Sequence, residues 1–277
     1  MGALFMTVSH LVRYTVNIGL LLITLIIAFP FIWMLIGSIQ SLENVRSLSF
    51  SFDGLQFSNF YDAWNGAPFG RYFFNSFLIA VTVSIIQLVI NIFAAYAFAR
   101  LSFKGKNVLF IIVLSTMMIP AQAIFIPNFI IISGLNWYNT YFALIIPFCA
   151  SAFGIFLIRQ AFLQVPKEIE ESAILEGANH LQIIYHMMIP LAKPTIITCI
   201  LLCFISQYSD LFWPLIVTNS EDMRTVQVGL SSFMNDEGGS GPQWHILMAA
   251  STMVIMPLVI LFIMAQKYIM KGVPGAK

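Results

Sequence analysis

Six runs of apolar residues, separated by shorter polar stretches, order this chain from end to end. They cover about residues 16–38, 73–99, 108–132, 141–162, 195–217 and 246–269. At about 1.5 Å of helical rise per residue, each is long enough to cross a hydrocarbon layer about 30 Å thick. The first run is longer than the apolar region of a secretion signal, and no small-residue cleavage site follows it. Pro30 inside it is tolerated more readily in a membrane helix than in water. The second run opens Asn75-Ser76-Phe77 and carries Ser84, Gln87 and Asn91. The third contains Pro120 and Pro127 with Gln122 between them, which predicts a kink. The pattern predicts an all-α, polytopic membrane protein with six transmembrane helices.

One long polar stretch away from the N-terminus breaks this pattern, at residues 166–194, PKEIEESAILEGANHLQIIYHMMIPLAKP. Pro166 stands where a helix can begin, because its missing N–H is not needed there. Glu168, Glu170 and Glu171 follow in the first turns, where carboxylates suit the positive end of the helix dipole. Gly177 is a natural stop, since glycine tolerates the left-handed conformation that ends many helices. Asn179 can cap a second helix, with Gln182 three residues on in a loose capping box. Leu181, Ile184, Tyr185 and Met188 follow at the spacing of one apolar face, and Pro190 ends that helix. The expectation is a helix–turn–helix beside the membrane, acidic on one side, shaped to be gripped by something outside the bilayer.

The other connections are plainer. Residues 40–70 hold Phe52, Phe57, Phe60, Tyr61 and Trp64 among polar residues, which predicts an ordered external loop anchored at the headgroups. Residues 133–140 form a short uncharged turn. Residues 218–243 end in the Gly-rich turn Gly238-Gly239-Ser240-Gly241-Pro242.

Composition sharpens the class. Of 277 residues, 59% are hydrophobic and 9% charged, with a mean hydropathy of +0.88. A soluble domain carries about a quarter charged residues, so this chain takes the bilayer as its solvent. A net charge of +1 gives no footprint for nucleic acid. Cys149, Cys199 and Cys203 all fall in apolar runs and read as small buried hydrophobes. Of the thirteen Lys and Arg residues, ten fall on the side that carries both ends of the chain and the polar hairpin. They are Arg13, Arg100, Lys104, Lys106, Arg159, Lys167, Lys193, Lys267, Lys271 and Lys277. Arg46, Arg71 and Arg224 fall on the other. That bias makes the first side cytoplasmic.

Glu171-Ser172-Ala173-Ile174-Leu175-Glu176-Gly177-Ala178, followed by Ile189-Pro190, resembles the EAA loop of ABC-importer permeases. Ser172 stands for the family's alanine and Glu176 for its aspartate. The stretch Asp210-Leu211-Phe212-Trp213-Pro214-Leu215-Ile216-Val217 is similar to the region around the last two spans of carbohydrate-uptake permeases of the maltose and glycerol-phosphate kind. So are Arg224-Thr225, Val228-Gly229-Leu230, Trp244, Met248-Ala249-Ala250 and the tail from Gln266 to Gly272. The resemblance covers nearly the whole chain. It implies the type I ABC importer permease fold, with a transmembrane domain over 70–267, an EAA loop at about 166–190, and flanking segments 1–69 and 268–277. It implies that this loop docks in a groove on a cytoplasmic ATPase, with Glu171 and Glu176 facing basic groups and Ala173, Ile174 and Ala178 filling the groove. It also implies the partners: a second, homologous permease, an ABC ATPase dimer, an external solute-binding protein and a carbohydrate substrate, with no cofactor.

Candidates for a substrate path are Gln87, Asn91, Gln122, Gln207, Tyr208, Asp210 and Trp213, amide and aromatic groups suited to a sugar ring. Asp210 is the one carboxylate inside a span, and such groups are usually functional or paired. Two roles are open to it: the path, or a cap or ion-pair partner near the external end of its span. For each amide the plain alternative is an interhelical hydrogen bond. His10, His180, His186 and His245 are not spaced as metal ligands. No phosphate-binding loop or nucleophile motif appears, so ATP hydrolysis is expected of a partner. A secondary transporter or channel is the competing class, although repeated halves and several intramembrane charges are its marks.

Overall fold

The computed structural model describes residues 2–49, 54–234 and 242–272, with side chains over 15–49, 54–234 and 242–266. Phe52, Gly238 to Gly241 and the last five residues lie outside the described residues, as do the side chains of His10, Arg13, Lys267 and Lys271. Among the described residues every regular element is helical. The chain forms two units, residues 1–67 with 230–255, and residues 68–229 with 256–277.

The first unit is built on α1 (Gly2–Gly37) and the first part of α15 (Trp244–Gly272). Within Thr15–Gly37 the most apolar stretch has a mean hydropathy of 2.6, and no residue of it is buried by the rest of the chain. Such a helix needs lipid or another subunit around it. The described part of the connection that follows, 40–49 and 54–68, contains two short helices. It holds α2 (Leu42–Arg46), capped by Ser41, and α3 (Ser58–Asn65). Buried Asn59 ties α3 back by donating from Nδ2 to the carbonyls of Ser38 (3.1 Å) and Gln40 (2.9 Å). Phe57, Tyr61 and Trp64 point outward, as interfacial anchors do.

The second unit packs α4 (Phe69–Ala99) against α8 (Ala152–Gln164) and α12 (Lys193–Tyr208). α4 is an unbroken span, and the other crossings in this unit are bent. α5 (Lys106–Ser115) and α6 (Phe125–Gly134), with their short 3₁₀ extensions, meet at 95°. The break falls at Ile119–Pro120, where Pro120 is extended (ψ 136°) and offers no N–H to continue a helix. α7 (Tyr141–Ile145), extended by a 3₁₀ turn, meets α8 at 41°, and the Ser151 hydroxyl restarts the helix by accepting from Gly154 N–H. Counting each bent pair as one span, up to six crossings are present.

The fifth span departs from expectation. Instead of one helix over 195–217, α12 stops at Tyr208 and α13 (Phe212–Val217) begins after a break at Ser209–Leu211. The periodic apolar pattern runs through the break unmarked, but Pro214 follows and a carboxylate sits within it.

Beyond α13, polar side chains clamp the N-terminal ends of α4 and α7. Asn75 Nδ2 donates to the carbonyls of Asp222 and Arg224, both at 2.8 Å, and its Oδ1 accepts from Tyr141 Oη at 2.7 Å. Ser76 Oγ accepts Val226 N–H at 2.8 Å, where α14 (Val226–Ser232) starts. Gly229 lies against the Tyr72 ring with no room for a Cβ.

Candidate functional site

The polar stretch folds as two short helices around a glycine. α9 (Lys167–Leu175) starts directly after Pro166. It ends in two hydrogen bonds, Gly177 N–H to Ile174 O (3.0 Å) and Ala178 N–H to Ala173 O (2.9 Å). That is the Schellman pairing, and it requires a left-handed residue at its centre. Gly177 supplies it, with φ +87°. α10 (His180–Ile183) opens on a complete capping box: Asn179 N–H donates to Gln182 Oε1 at 2.8 Å, and Gln182 N–H donates to Asn179 Oδ1 at 2.9 Å.

The second helix does not end at Pro190. It passes through a π-helical turn, Ile184–Met188, into α11 (Ile189–Leu191), where Pro190 sits in the first turn. α12 then leaves at 84°. The wider turn changes which residues share a face. Ile183, Ile184 and Met188 are buried, whereas Leu181 and Tyr185 are 63% and 72% exposed. Of the expected apolar face, Ile184 and Met188 are buried, and Leu181 and Tyr185 are exposed.

The inner faces of both helices root the hairpin in the packed helices. Ala173, Ile183, Ile184 and Met188 join Ile92, Ala95 and Tyr96 of α4, Ile158 and Phe162 of α8, and Ile196 and Cys199 of α12 in one hydrophobic cluster, with Ala178 against its edge. Ala173 is buried against the chain's own core, and Ala178 is half-buried at its edge, beside Glu176 and Gly177. The outward face of α9 is Glu171, Ile174 and Leu175, continued by Glu176 and Gly177 at the turn. Leu175 is 89% exposed and Ile174 50%.

A buried polar cluster fixes the angle of this hairpin. Glu170, only 9% exposed, turns inward. Its Oε2 lies 3.3 Å from Arg100 Nε, and its Oε1 accepts from Tyr96 Oη at 2.8 Å. Tyr96 Oη also lies 2.9 Å from His180 Nδ1, on the second helix of the hairpin. Arg100 Nη2 donates to the carbonyls of Phe162 (2.6 Å) and Val165, at the end of α8. One arginine therefore gathers the C-terminal ends of α4 and α8 and the start of α9. Sequence reasoning missed Glu170 and Leu175. The available signal for Glu170 was its position three residues before Ala173, on the same helical face.

The path candidates do not converge on one place. Gln87 Nε2 donates to Phe148 O at 2.9 Å. Asn91 is buried, its Oδ1 accepts Ser151 N–H at 3.3 Å, and its amide packs on Gly154. Tyr208 is fully buried, stacked on Phe204 and edge-on to Phe77. Trp213 is buried as well, with Nε1–H donating to Ala143 O at 2.9 Å. Asn91, Tyr208 and Trp213 therefore fasten helices together. Asp210 Oδ1 lies 3.5 Å from Trp213 N, just before α13, whose N-cap residue is Leu211. Gln122 is exposed in the turn between α5 and α6. Gln87 and Gln207 line a common cavity, of about 170 Å³.

A bundle of bent apolar helices with a rigid polar knuckle at one end has the form of a transporter's membrane subunit. The chain belongs to the family of binding-protein-dependent transport system inner membrane components, whose model matches residues 87–273. It is 29% identical to the arabinooligosaccharides transport system permease protein AraQ of Bacillus subtilis, over 94% of this chain and 93% of that one. It is 31% identical to the probable ABC transporter permease protein YurM of the same organism, over 94% and 86%. A crystal structure of a bacterial ABC transporter involved in the import of the acidic polysaccharide alginate contains a chain of the same fold. Its TM-score is 0.83 at 28% identity, covering 93% of this chain and 96% of that one. The protein is a multi-pass component of the cell membrane and works as the permease subunit of an ABC importer, with a solute-binding protein and ATPase subunits.

Proposed function

We propose that this permease carries a carbohydrate into the cell, and that the hairpin 166–191 couples its movement to ATP hydrolysed by a partner. The carbohydrate reading is supported by the relatives' names, which specify arabinooligosaccharides and alginate. A cytoplasmic position for the hairpin and both termini is supported by the ten-to-three distribution of Lys and Arg residues. The chain carries no phosphate-binding loop, and hydrolysis is assigned to the ATPase subunits.

One observation carries the coupling role: the hairpin is firmly rooted and openly tipped. Its root is a packed cluster with a buried ion pair. Its tip offers Glu171, Ile174, Leu175 and Glu176 to the outside. An element joined this way moves as a rigid body with α4, α8 and α12, because packed cores switch between arrangements rather than deform smoothly. Ile174 and Leu175 are the apolar knob for a groove on the ATPase, and Glu171 and Glu176 complement basic groups at its rim. Closure of the ATPase dimer then pulls the knuckle, and the bundle swings between inward-open and outward-open states.

Reconstitution tests the reading. Proteoliposomes holding this chain, its sister permease and the ATPase subunits take up sugar only with ATP and the binding protein. Gradient-driven flux without the ATPase contradicts it.

A further inference from the structure

Between α4, α8 and α12 lies the cavity of about 170 Å³ shared by Gln87 and Gln207. Ser151, Phe153, Cys203 and Ser206 complete the part of its lining that matters here. No charged side chain lines it. Gln87 spends its amide N–H on Phe148 O, which leaves Oε1 available. The side chains of Ser206 and Gln207 enter no hydrogen bond with the described residues, and Phe153 is 45% exposed.

These polar groups stand at one level. Gln87, Ser151 and Gln207 lie about 18–21 Å along their helices from the ends gathered by Arg100 and the adjoining core cluster. In a hydrocarbon layer about 30 Å thick, that is within the apolar zone and somewhat beyond its middle. An amide left without a partner at that depth is costly against lipid, and polar groups there face protein or water. Gln87, Ser206 and Gln207, each with hydrogen-bonding capacity in hand around one cavity, mark a wetted notch.

Resting on the permease reading above, we propose that this notch is a subsite for one ring of a neutral sugar in transit. Gln207 and Gln87 Oε1 exchange hydrogen bonds with its hydroxyls, Ser206 adds a donor and acceptor, and Phe153 offers an apolar face to the ring. The lack of charge in the lining favours a neutral sugar over an anionic one, since no cation is present to repay a carboxylate or phosphate for its lost hydration. The space suits passage better than capture: few hydrogen bonds at a partly open wall hold a sugar weakly.

The test uses the whole transporter in proteoliposomes, with Cys149, Cys199 and Cys203 replaced by serine and Ser206→Cys as the single thiol. A charged, water-soluble thiol reagent is expected to label position 206, and labelling is expected to stop ATP-driven uptake of arabinotriose or maltotriose relative to the same carrier before labelling. Labelling only by a lipid-soluble maleimide, or labelling without effect on uptake, overturns the proposal. The labelling needs no transported solute, so it reads the notch separately from the function. A wild-type transporter that carries no sugar with ATP contradicts the permease reading instead. As a second measurement, Gln207→Leu is expected to raise KM for the trisaccharide up to about tenfold, the loss of one or two hydrogen bonds, with Gln207→Asn much closer to wild type. An unchanged KM overturns the subsite.

Discussion

Arg100 and Glu170 form a buried ion pair that joins the end of the longest unbroken span in the packed core to the first helix of the hairpin 166–191, Nε to Oε2 at 3.3 Å. Removing one partner leaves the other charge buried and uncompensated, at a cost of about 3–5 kcal/mol. Glu170→Ala is therefore expected to lower the apparent Tm of the purified protein in detergent by several degrees. Replacing both groups with apolar residues, Arg100→Met with Glu170→Leu, recovers most of that loss. A double mutant as unstable as the single one argues against the pair. The stabilised double mutant has lost the pinning contact, so its uptake per ATP hydrolysed is expected to fall even where its Tm recovers.

Gly177 sits at φ +87° with open space where a Cβ would lie. A substitution there meets no neighbour, and its penalty is confined to the backbone, about 1–2 kcal/mol for an L residue in the left-handed region. Asparagine tolerates that region best. Gly177→Asn is expected to keep most uptake. Gly177→Asp, which adds charge to an acidic tip, abolishes uptake while the protein stays in the membrane. Membrane abundance and uptake, measured together, check this, and normal uptake by the aspartate variant would remove the glycine from the coupling step.

Both caps of the hairpin were legible in the sequence, because a cap is a local bargain among four or five residues. Gly177 stops α9, and Asn179 with Gln182 starts α10, as their spacing predicts. The apolar runs were legible for the same reason. The buried side of α10 was not, since a 3.6-residue pattern does not show that a π turn occupies Ile184–Met188 or that Leu181 and Tyr185 stay exposed. Glu170 was hidden by distance: its burial depends on Arg100 and Tyr96, which only the tertiary fold brings to it.

Asp210 divides the two roles that its sequence left open. Its Oδ1 lies 3.5 Å from Trp213 N–H at the start of α13. Asparagine can keep that contact, whereas alanine removes it. Asp210→Asn is expected to transport at near the wild-type rate, and Asp210→Ala to be somewhat less stable. Loss of uptake by the asparagine variant, with normal abundance, would move this carboxylate from that contact to the solute path.

Gly154 lets α8 approach α4 where the Asn91 amide lies, and a Cβ there would overlap Asn91 Nδ2. Gly154→Ala forces the amide aside and strains its contact with Ser151 N–H, at about 1–3 kcal/mol. A lowered Tm in detergent is the expected result. Asn91→Ala in the same chain removes the overlap, so the pair is expected to be less than additive.

The central claim is that the exposed tip of α9 touches the ATPase. The most direct measurement places a photo-crosslinking amino acid at Leu175, which is 89% exposed, in the assembled transporter. The account predicts a crosslink to the ATPase subunit whose yield changes when ATP is bound. A crosslink only to lipid, or to the external binding protein, would contradict it.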